Sequence, residues 1–399
     1  MNPLDLGFIS NLIFLPSTGS SNLKLFLLII GVLICSCDPF VTQFEESEDA
    51  VPYTASVVNI PIDSPSELNV MTWNIRFGAG RIPWFGDSCG DRVILSENEV
   101  LGNLQPIIDF INIKNPDILL LQEVDVSSKR TGYLDQVQWL LDHTNFNYGV
   151  YASMWQADFI PSDGLGKVDA GNAILSKWPI ENAERIQLPL RGDQDNLEQY
   201  FYLRRNILKS KIKISDEKEL YALCTHTTAF ATDDTKQKHI DKFYEVLESF
   251  GDDEIFVAGG DLNALSSAYV GDNRDFCTVD KCDDDVCDDD FGNNLIYQGS
   301  YFNHLPDEEL LLEQLYTFYP AIDKSLTHIS ENYTHSTWIT SEAYIDLNGD
   351  SLHVEGDNGP LNRKLDYIFS SDPLSDGMTH LAPFNLSDHA PVSATLLLP

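Results

Sequence analysis

Short apolar runs with a polar residue at or near one end recur along most of this chain, and they restrict what it can fold into. The clearest lie at 68–74, 117–123, 219–226, 254–261 and 364–369. Runs of this length, rich in branched and aromatic side chains, are typical of buried strands. Apolar residues at helical spacing predict helices at 92–114 and 233–250, between the strands. This alternation predicts a layered α/β fold.

The polar residues at the strand ends form an unusual set. They are Asn74, Glu123, His226, Asp261 with Asn263, Asp366, and Asp388 with His389. In layered α/β proteins, strand ends converge on one rim, where functional sites are built. A single polar strand end is usually a turn residue. A whole set without lysine instead favours a site for a hard cation such as Mg²⁺ or Mn²⁺.

The net charge bears on the substrate. The chain has 25 basic and 62 acidic residues and a formal net charge of −37. This balance opposes non-specific binding to nucleic acid, which depends on Lys and Arg. It does not exclude a phosphate substrate, because bound divalent cations can supply positive charge locally.

The N-terminal segment resembles a targeting signal. Lys24 precedes an apolar run at 25–35, which is too short to span a bilayer and suits a signal peptide. Ile-Cys-Ser-Cys at 34–37 resembles a bacterial lipobox, which implies cleavage before Cys37 and a lipid on it. An uncleaved anchor or a plain signal peptide is the alternative. We therefore expect a monomeric, lipid-anchored protein of the cell envelope or extracellular space.

Three segments are predicted on this basis. They are a signal peptide at 1–36, an acidic tether at 37–66, and one domain at 67–399 with a long acidic insertion at about 266–363. Cys277, Cys282 and Cys287 lie in the insertion, five residues apart, where a local disulfide is expected outside the cytoplasm.

The insertion also contains a sequence similar to a calcium loop. Asp346, Asn348, Asp350 and Asp357 occupy positions one, three, five and twelve of such a loop. Ser351 replaces the usual glycine at position six. A β-turn at Asn-Gly, 348–349, is the alternative that we favour over Ca²⁺.

Seven motifs resemble those of the endonuclease/exonuclease/phosphatase superfamily, in that family's order. They are Met-Thr-Trp-Asn-Ile at 71–75, Leu-Gln-Glu-Val at 121–124, Gly-Asn-Ala-Ile-Leu-Ser-Lys at 171–177, Thr-His at 225–226, Gly-Asp-Leu-Asn-Ala at 260–264, Leu-Asp-Tyr-Ile-Phe at 365–369 and Ser-Asp-His-Ala-Pro at 387–391. The resemblance implies a deoxyribonuclease-I-like fold, a four-layer αββα sandwich of two mixed β-sheets. It also implies metal-dependent phosphoester hydrolysis.

Each residue of the set has a predicted role in that reaction. Glu123 is the expected main ligand of Mg²⁺ or Mn²⁺, with Asn74 and Asp388 beside it. Asn263 would hold a phosphoryl oxygen through its amide, and Asp261 would orient or deprotonate the attacking water.

The two histidines have alternative roles. His389 would contact the phosphate or act as base, with Asp366 fixing its tautomer. His226 would contact the phosphate or protonate the leaving group. Lys167, Arg204 and Arg205 are further candidate phosphate contacts, unless they are ordinary surface charges.

The sequence thus predicts a Mg²⁺- or Mn²⁺-dependent phosphoric ester hydrolase, a phosphodiesterase or phosphatase that uses an activated water in line. A secreted nuclease acting on DNA or RNA is the first alternative. A non-catalytic surface binding protein is the second, although such a module does not need this set of acids and histidines.

Overall fold

The computed structural model describes residues 40–61, 65–82, 84–85, 92–269, 310–336 and 361–398. The predicted signal peptide, the three cysteines of the acidic insertion and the four residues of the possible calcium loop lie outside these ranges. Within the described ranges, fourteen strands form two seven-stranded mixed sheets. Strands and helices are numbered below in chain order.

The chain passes between the two sheets in blocks, so that strands adjacent in the sequence mostly belong to the same sheet. In spatial order, the first sheet contains Ser47–Asp49 (β1), Ile180–Gln187 (β7), Asn206–Lys213 (β8), Glu219–His226 (β9), Phe256–Asp261 (β10), Asp366–Ser370 (β12) and Tyr319–Pro320 (β11). The second contains Leu374–Thr379 (β13), Val392–Leu397 (β14), Glu67–Asn74 (β3), Ile118–Asp125 (β4), Gly166–Ser176 (β6), Tyr148–Ile160 (β5) and Val51–Thr54 (β2). β3 with β4, and β9 with β10, are parallel pairs, and the remaining pairs are antiparallel.

The helices flank these sheets. The α-helices are Glu97–Lys114 (α1), Gln136–His143 (α2), Asn196–Phe201 (α3) and Thr235–Glu248 (α4). Single turns of 3-10 helix occur at Arg76–Gly78, Lys129–Thr131, Ser162–Gly164, Ser267–Tyr269, Glu313–Thr317, Lys324–Leu326 and Ser330–Asn332. Among the described residues, none of the helices combines the length and apolar character needed to cross a membrane.

The buried side chains of β4 show how the layers stack. Leu119 and Leu121 pack with Leu104 of α1 on one face of the second sheet. Leu120, on the opposite face, packs against Leu208 of the first sheet. The other face of the first sheet is covered by α4. Each fully buried side chain of this size contributes about 1.5–3 kcal/mol to folding. The order helix, sheet, sheet, helix confirms the predicted four-layer sandwich.

Helix α1 begins later than the pattern at 92–114 predicts. Ser96 and Glu99 form a capping box, in which the Glu99 amide donates to Ser96 Oγ and the Ser96 amide donates to Glu99 Oε2 over 2.8 Å. These bonds satisfy amide groups that the first turn leaves without a partner. The helix ends at Asn115, which has a left-handed conformation before Pro116.

The acidic segment expected to be a tether is partly a component of the sandwich. Strand β1 pairs with β7 and strand β2 pairs with β5. Val41 is buried, and the Thr42 amide donates to the Gln156 carbonyl over 2.9 Å. The two strands are too short for their apolar pattern to be visible in the sequence, and edge pairing stabilises them instead.

Two other predicted elements differ from those observed. The sequence at 200–214 predicts a single strand, but β8 begins at Asn206, because the preceding residues form α3, whose first amides bond to Asp195. The expected insertion also contains integral structure. Leu311, Leu312 and Leu315 are buried against the layer formed by α4, and β11 pairs with β12.

Candidate active site

The polar strand ends meet at one end of the sandwich, as predicted. On β10, Asp261 lies opposite His226 of β9 and Asp366 of β12 in the hydrogen-bonded ladder. Asn74, at the end of β3 in the other sheet, reaches across to the same carboxylate. Strand register therefore determines which side chains become neighbours.

Gly260 allows β9 and β10 to come this close. Its φ is +141°, and an added Cβ would lie 1.9 Å from the Thr225 carbonyl oxygen. Any side chain here would push apart the two strands that carry Asp261 and His226. The glycine in the Gly-Asp-Leu-Asn motif is thus a structural requirement of the site.

Glu123 reaches the site through a β-bulge in β4. The pairing with β6 shifts register between Leu121 and Val124, so β4 carries one extra residue there. Glu123 has φ +54°, a conformation that non-glycine residues rarely adopt. Such bulges redirect a side chain next to active sites.

Asp261 is the most connected carboxylate of the site. Its Oδ2 lies 3.2 Å from His226 Nε2 and 3.5 Å from His389 Nε2. Asn74 Nδ2 donates to the same oxygen over 3.1 Å, and the Asn263 amide donates to Oδ1 over 3.0 Å. Burial raises the pKa of Asp261 to about 7, against the opposing charge of His389.

His389 is held between two carboxylates. Its Nδ1 lies 2.7 Å from Asp366 Oδ2, and its Nε2 faces Asp261. Burial alone lowers the pKa of the imidazole, but Asp366 and Asp261 outweigh burial and raise it to about 10. We call Asp366, His389, Asp261 and His226 the carboxylate–imidazole chain.

The backbone around His389 is fixed as well. Trp73 Nε1 donates to the His389 carbonyl over 2.9 Å, and the His389 amide donates to Ser387 Oγ over 3.2 Å. The Ser387 hydroxyl in turn donates to the Asn74 carbonyl. The turn before β14 is therefore tied to the end of β3.

His226 is the uncharged last member of the carboxylate–imidazole chain. Burial, followed by the charge of Arg205, holds its pKa well below the usual range of histidine. Arg205 Nη1 also donates to the His226 carbonyl over 3.2 Å. Within the described residues, His226 Nδ1 is buried and has no hydrogen-bond partner.

Glu123 and Asp388 form the open, acidic side of the site. Burial raises the pKa of Glu123 and so does the charge of Asp388, which means that two carboxylates repel each other here. Arg76 Nε lies 3.4 Å from Asp388 Oδ2. Two facing carboxylates with hard oxygen donors fit a divalent cation such as Mg²⁺ or Mn²⁺.

Asn74 is placed differently from the predicted metal ligand. Its Oδ1 accepts from the Arg76 amide over 3.0 Å, and its Nδ2 donates to Glu123 Oε1 over 3.0 Å. The Asn74 side-chain nitrogen therefore positions the Glu123 and Asp261 carboxylates. Its side-chain oxygen is already occupied, because it accepts a hydrogen bond from the backbone.

The predicted phosphate contacts fall into two groups. Asn263 lies beside Asp261 with φ +44°, and its Nδ2 donates to the Thr227 carbonyl over 3.1 Å. Arg205 is buried next to His226. Lys167 is exposed on β6, and Arg204 donates to Gln43 and to two carbonyls near α3. Neither of these last two is joined to the carboxylate–imidazole chain by any bond observed among the described residues.

Sequence reasoning missed three residues at this site. Arg76 contacts Asp388, and Lys364 is buried two residues before Asp366, where burial lowers its pKa to about 7. The His335 ring packs against that of His389 at a tilt of 43°, with ring centroids 4.4 Å apart. Arg76 and His335 come from irregular segments, in which no periodicity predicts a position. Lys364 could have been found from its place just before the Leu-Asp-Tyr-Ile-Phe strand.

Comparison with known proteins supplies a family. The sequence model described as Endonuclease/Exonuclease/phosphatase family matches residues 71–389. No curated protein sequence matches the chain. Similar solved structures include an endonuclease/exonuclease/phosphatase from Beutenbergia cavernae, with 18% identity over 84% of this chain and 72% of that one and a TM-score of 0.48.

Two further solved structures are similar over comparable lengths. The endonuclease/exonuclease/phosphatase from Bacteroides vulgatus is 15% identical, covering 84% of this chain and 100% of that one, with a TM-score of 0.47. The human nocturnin catalytic domain is 16% identical, covering 87% and 96%, with a TM-score of 0.44.

Proposed function

The chain belongs to the endonuclease/exonuclease/phosphatase family, and on that premise we propose that it hydrolyses phosphoesters as a phosphodiesterase or phosphatase. The observation that carries the proposal is the carboxylate–imidazole chain beside the Glu123 and Asp388 carboxylates. Phosphoester hydrolysis requires a directed water, charge stabilisation and controlled proton positions. The carboxylate–imidazole chain can direct a water and control where the protons lie.

In this proposal Asp261 directs the attacking water. Its carboxylate is buried, accepts hydrogen bonds from Asn74 Nδ2 and the Asn263 backbone amide, and lies 3.2 Å from His226 Nε2, so its orientation is fixed. A positioned carboxylate of this kind orients a water by hydrogen bonding and accepts its proton as the bond to phosphorus forms.

His389 and Asn263 act on the phosphoryl oxygens. Asp366 holds His389 at Nδ1, so that Nε2 is directed into the site. The Asn263 side-chain amide, whose Nδ2 also donates to the Thr227 carbonyl, is a neutral donor and does not repel a phosphate. Donors fixed before the reaction stabilise developing negative charge most effectively.

Glu123 and Asp388 would hold Mg²⁺ or Mn²⁺, with Asn74 orienting Glu123. When bound, the cation would supply the positive charge that offsets the phosphoryl oxygens. Arg76, whose Nε lies 3.4 Å from Asp388 Oδ2, orients this carboxylate.

The charge distribution supports a small phosphoester or a lipid headgroup as the substrate. The formal net charge of −37 disfavours a long polyphosphate backbone. Arg204, a predicted phosphate contact, is bonded to protein groups instead. A nuclease would need a basic groove along the nucleic acid.

A substrate panel tests the proposal. We expect hydrolysis of bis-p-nitrophenyl phosphate, sphingomyelin or inositol phosphates to exceed that of plasmid DNA or RNA. Activity should vanish in EDTA and return with Mg²⁺ or Mn²⁺. Asp261→Asn should lower kcat by about 10²-fold or more, whereas Asp252→Asn, on an exposed turn, serves as the matched control. Full activity in a sample verified to be metal-free would exclude this mechanism.

A further inference from the structure

The segment 333–336 is held directly against the active site. The Thr334 carbonyl accepts from the Ala390 amide over 2.6 Å. Thr334 Oγ1 accepts from the amides of Leu365 and Asp366 over 2.8 and 3.1 Å. The segment thus joins the start of β12 to the turn before β14, and the residue that follows Thr334 has little freedom to move away.

That residue is His335, whose imidazole is buried at the edge of the site. Its side chain and backbone together are 9% exposed, and its amide donates to the Arg363 carbonyl over 2.9 Å. The ring lies 4.4 Å from that of His389, at an angle of 43°. Its Nδ1 is buried and has no hydrogen-bond partner within the described residues. A buried imidazole nitrogen without a partner is costly unless a ligand uses it.

His335, Asp388 and His389 together offer a set of ligand atoms for a metal. One ligand atom from each lies within 4.8 Å of the other two. The set contains two imidazole nitrogens and one carboxylate, whereas the predicted Mg²⁺ or Mn²⁺ site is built on the oxygens of Glu123 and Asp388. Two imidazoles with one carboxylate are a known ligand set of Zn²⁺, and imidazole nitrogen is a poor ligand for Mg²⁺.

The surroundings of His389 match those of a zinc ligand. Histidines that bind zinc almost always donate their other ring N–H to a carboxylate or a carbonyl. In His389 the Nδ1 is bonded to Asp366 over 2.7 Å, and Nε2 is directed into the site. Asp366 therefore leaves Nε2 as the nitrogen available to a metal.

We propose that His335, Asp388 and His389 form a binding site for Zn²⁺ that overlaps the active site, so that Zn²⁺ inhibits hydrolysis. Zinc binding would withdraw His389 and Asp388 from the phosphoester and from Mg²⁺. The binding part of this inference is independent of the proposed function, and only the inhibition rests on it.

Calorimetric titration of the full-length protein with Zn²⁺, in excess Mg²⁺, tests the binding. We expect one zinc per chain in the wild type and at least tenfold weaker binding in His335→Gln. His328→Gln is the matched control, because it removes an exposed histidine from the same described segment. It should bind zinc as the wild type does. Equal zinc affinity in all three proteins, or no binding in the wild type, would overturn the proposal.

A second variant keeps the test valid if His335→Gln folds poorly. His335→Cys replaces the imidazole with another zinc ligand. With Co²⁺ in place of Zn²⁺, it should show a thiolate-to-cobalt absorption band in the near ultraviolet that the wild type lacks. Absence of this band in folded, cobalt-loaded protein would contradict the assignment of His335 as a ligand.

Inhibition is measured separately, relative to the rate of each protein without zinc. Half-inhibition of His335→Gln should require at least ten times more Zn²⁺ than that of the wild type. Zinc that binds through His335 without inhibiting would overturn the overlap of the two sites. Failure of the proposed function would appear differently, as a lack of hydrolysis with every substrate and metal while calorimetry still detects zinc.

Discussion

At the scale of single residues, the protein places charge where solvent cannot compensate for it. Asp366, His389 and Asp261 are all buried, and His389 is hydrogen-bonded to Asp366 and lies 3.5 Å from Asp261. A buried ion pair adds little net stability, but removal of one member leaves an uncompensated charge. If these residues act in catalysis as proposed, a substitution at any of them would change stability as well as turnover.

The first prediction concerns His389 and Asp366. His389→Gln should lower kcat/KM by about 10²-fold or more. It should also destabilise the fold by about 3–5 kcal/mol, because the Asp366 carboxylate loses its partner. Asp366→Asn should have a smaller effect on turnover. If the two residues act as a unit, the double variant should be little worse than His389→Gln.

Kinetics and thermal unfolding of the same preparations check this prediction. Normal turnover of folded His389→Gln would remove the histidine from the mechanism. The sequence predicts that His389 lies where strand ends converge, and with an exposure of 4% it is buried there. A sequence can show that a strand ends at a polar residue, but not how deeply neighbouring segments bury it.

The second prediction concerns pH and His239. In α4 its Nδ1 accepts from the Thr228 amide, and its Nε2 bonds to the Pro189 carbonyl over 2.7 Å. Burial lowers its pKa to about 4 from a usual value of 6.5. Between these pH values the unfolded chain binds the proton and the folded chain does not, so stability falls as pH decreases.

Urea unfolding of wild type and His239→Gln at pH 7 and pH 4.5 measures this effect. We expect the wild type to lose about 2–3 kcal/mol more than the variant between the two values. Equal losses in the two proteins would show that His239 is not the titrating group.

At the scale of elements, the site depends on departures from regular strands. The bulge at Glu123 and the glycine at 260 bring side chains from both sheets to one place. The apolar periodicity of the sequence predicted most of the strands and the α1 and α4 helices, because in these segments the pattern is strong. It did not predict β1, β2 or the position of His335, because short edge strands and irregular segments are fixed by tertiary contacts.

The third prediction compares two glycines. Gly260→Ala should destabilise the fold by about 3 kcal/mol or more, because its Cβ would clash with the Thr225 carbonyl and its φ of +141° is strained. Gly102→Ala should instead stabilise it by about 0.5–1 kcal/mol, because this glycine is exposed within α1 and nothing lies near the added Cβ. Urea unfolding measures both, and a neutral Gly260→Ala would show that β9 and β10 can separate freely.

At the scale of the whole molecule, two sheets face each other and contribute different groups to one site. The first sheet supplies Asp261, His226 and Asp366, and the second supplies Asn74 and Glu123. Any slippage of one sheet over the other would separate Asp261 from Glu123. The apolar layer between them, which includes Leu120 and Leu208, therefore sustains the geometry of the site as well as the fold.

The fourth prediction concerns attachment to a membrane, which we propose from the sequence around Cys37. Cys37→Ser should move the protein from the membrane fraction to the soluble fraction of the cell. Fractionation followed by immunoblotting measures this shift, with Cys224→Ser, a change at a buried thiol, as the control. A variant that stays in the membrane fraction would favour an uncleaved anchor.

Because Val41 is buried in the sandwich, a lipid attached to Cys37 would be linked to the folded domain by only a few residues. Only four peptide units separate Cys37 from Val41, and an extended chain of that length spans about 14 Å. A lipid on Cys37 would hold the sandwich within a headgroup's distance of the bilayer, with little freedom to tumble. The enzyme would then sample a thin layer of solution next to the membrane, where the local concentration of headgroup phosphoesters far exceeds that of dissolved ones.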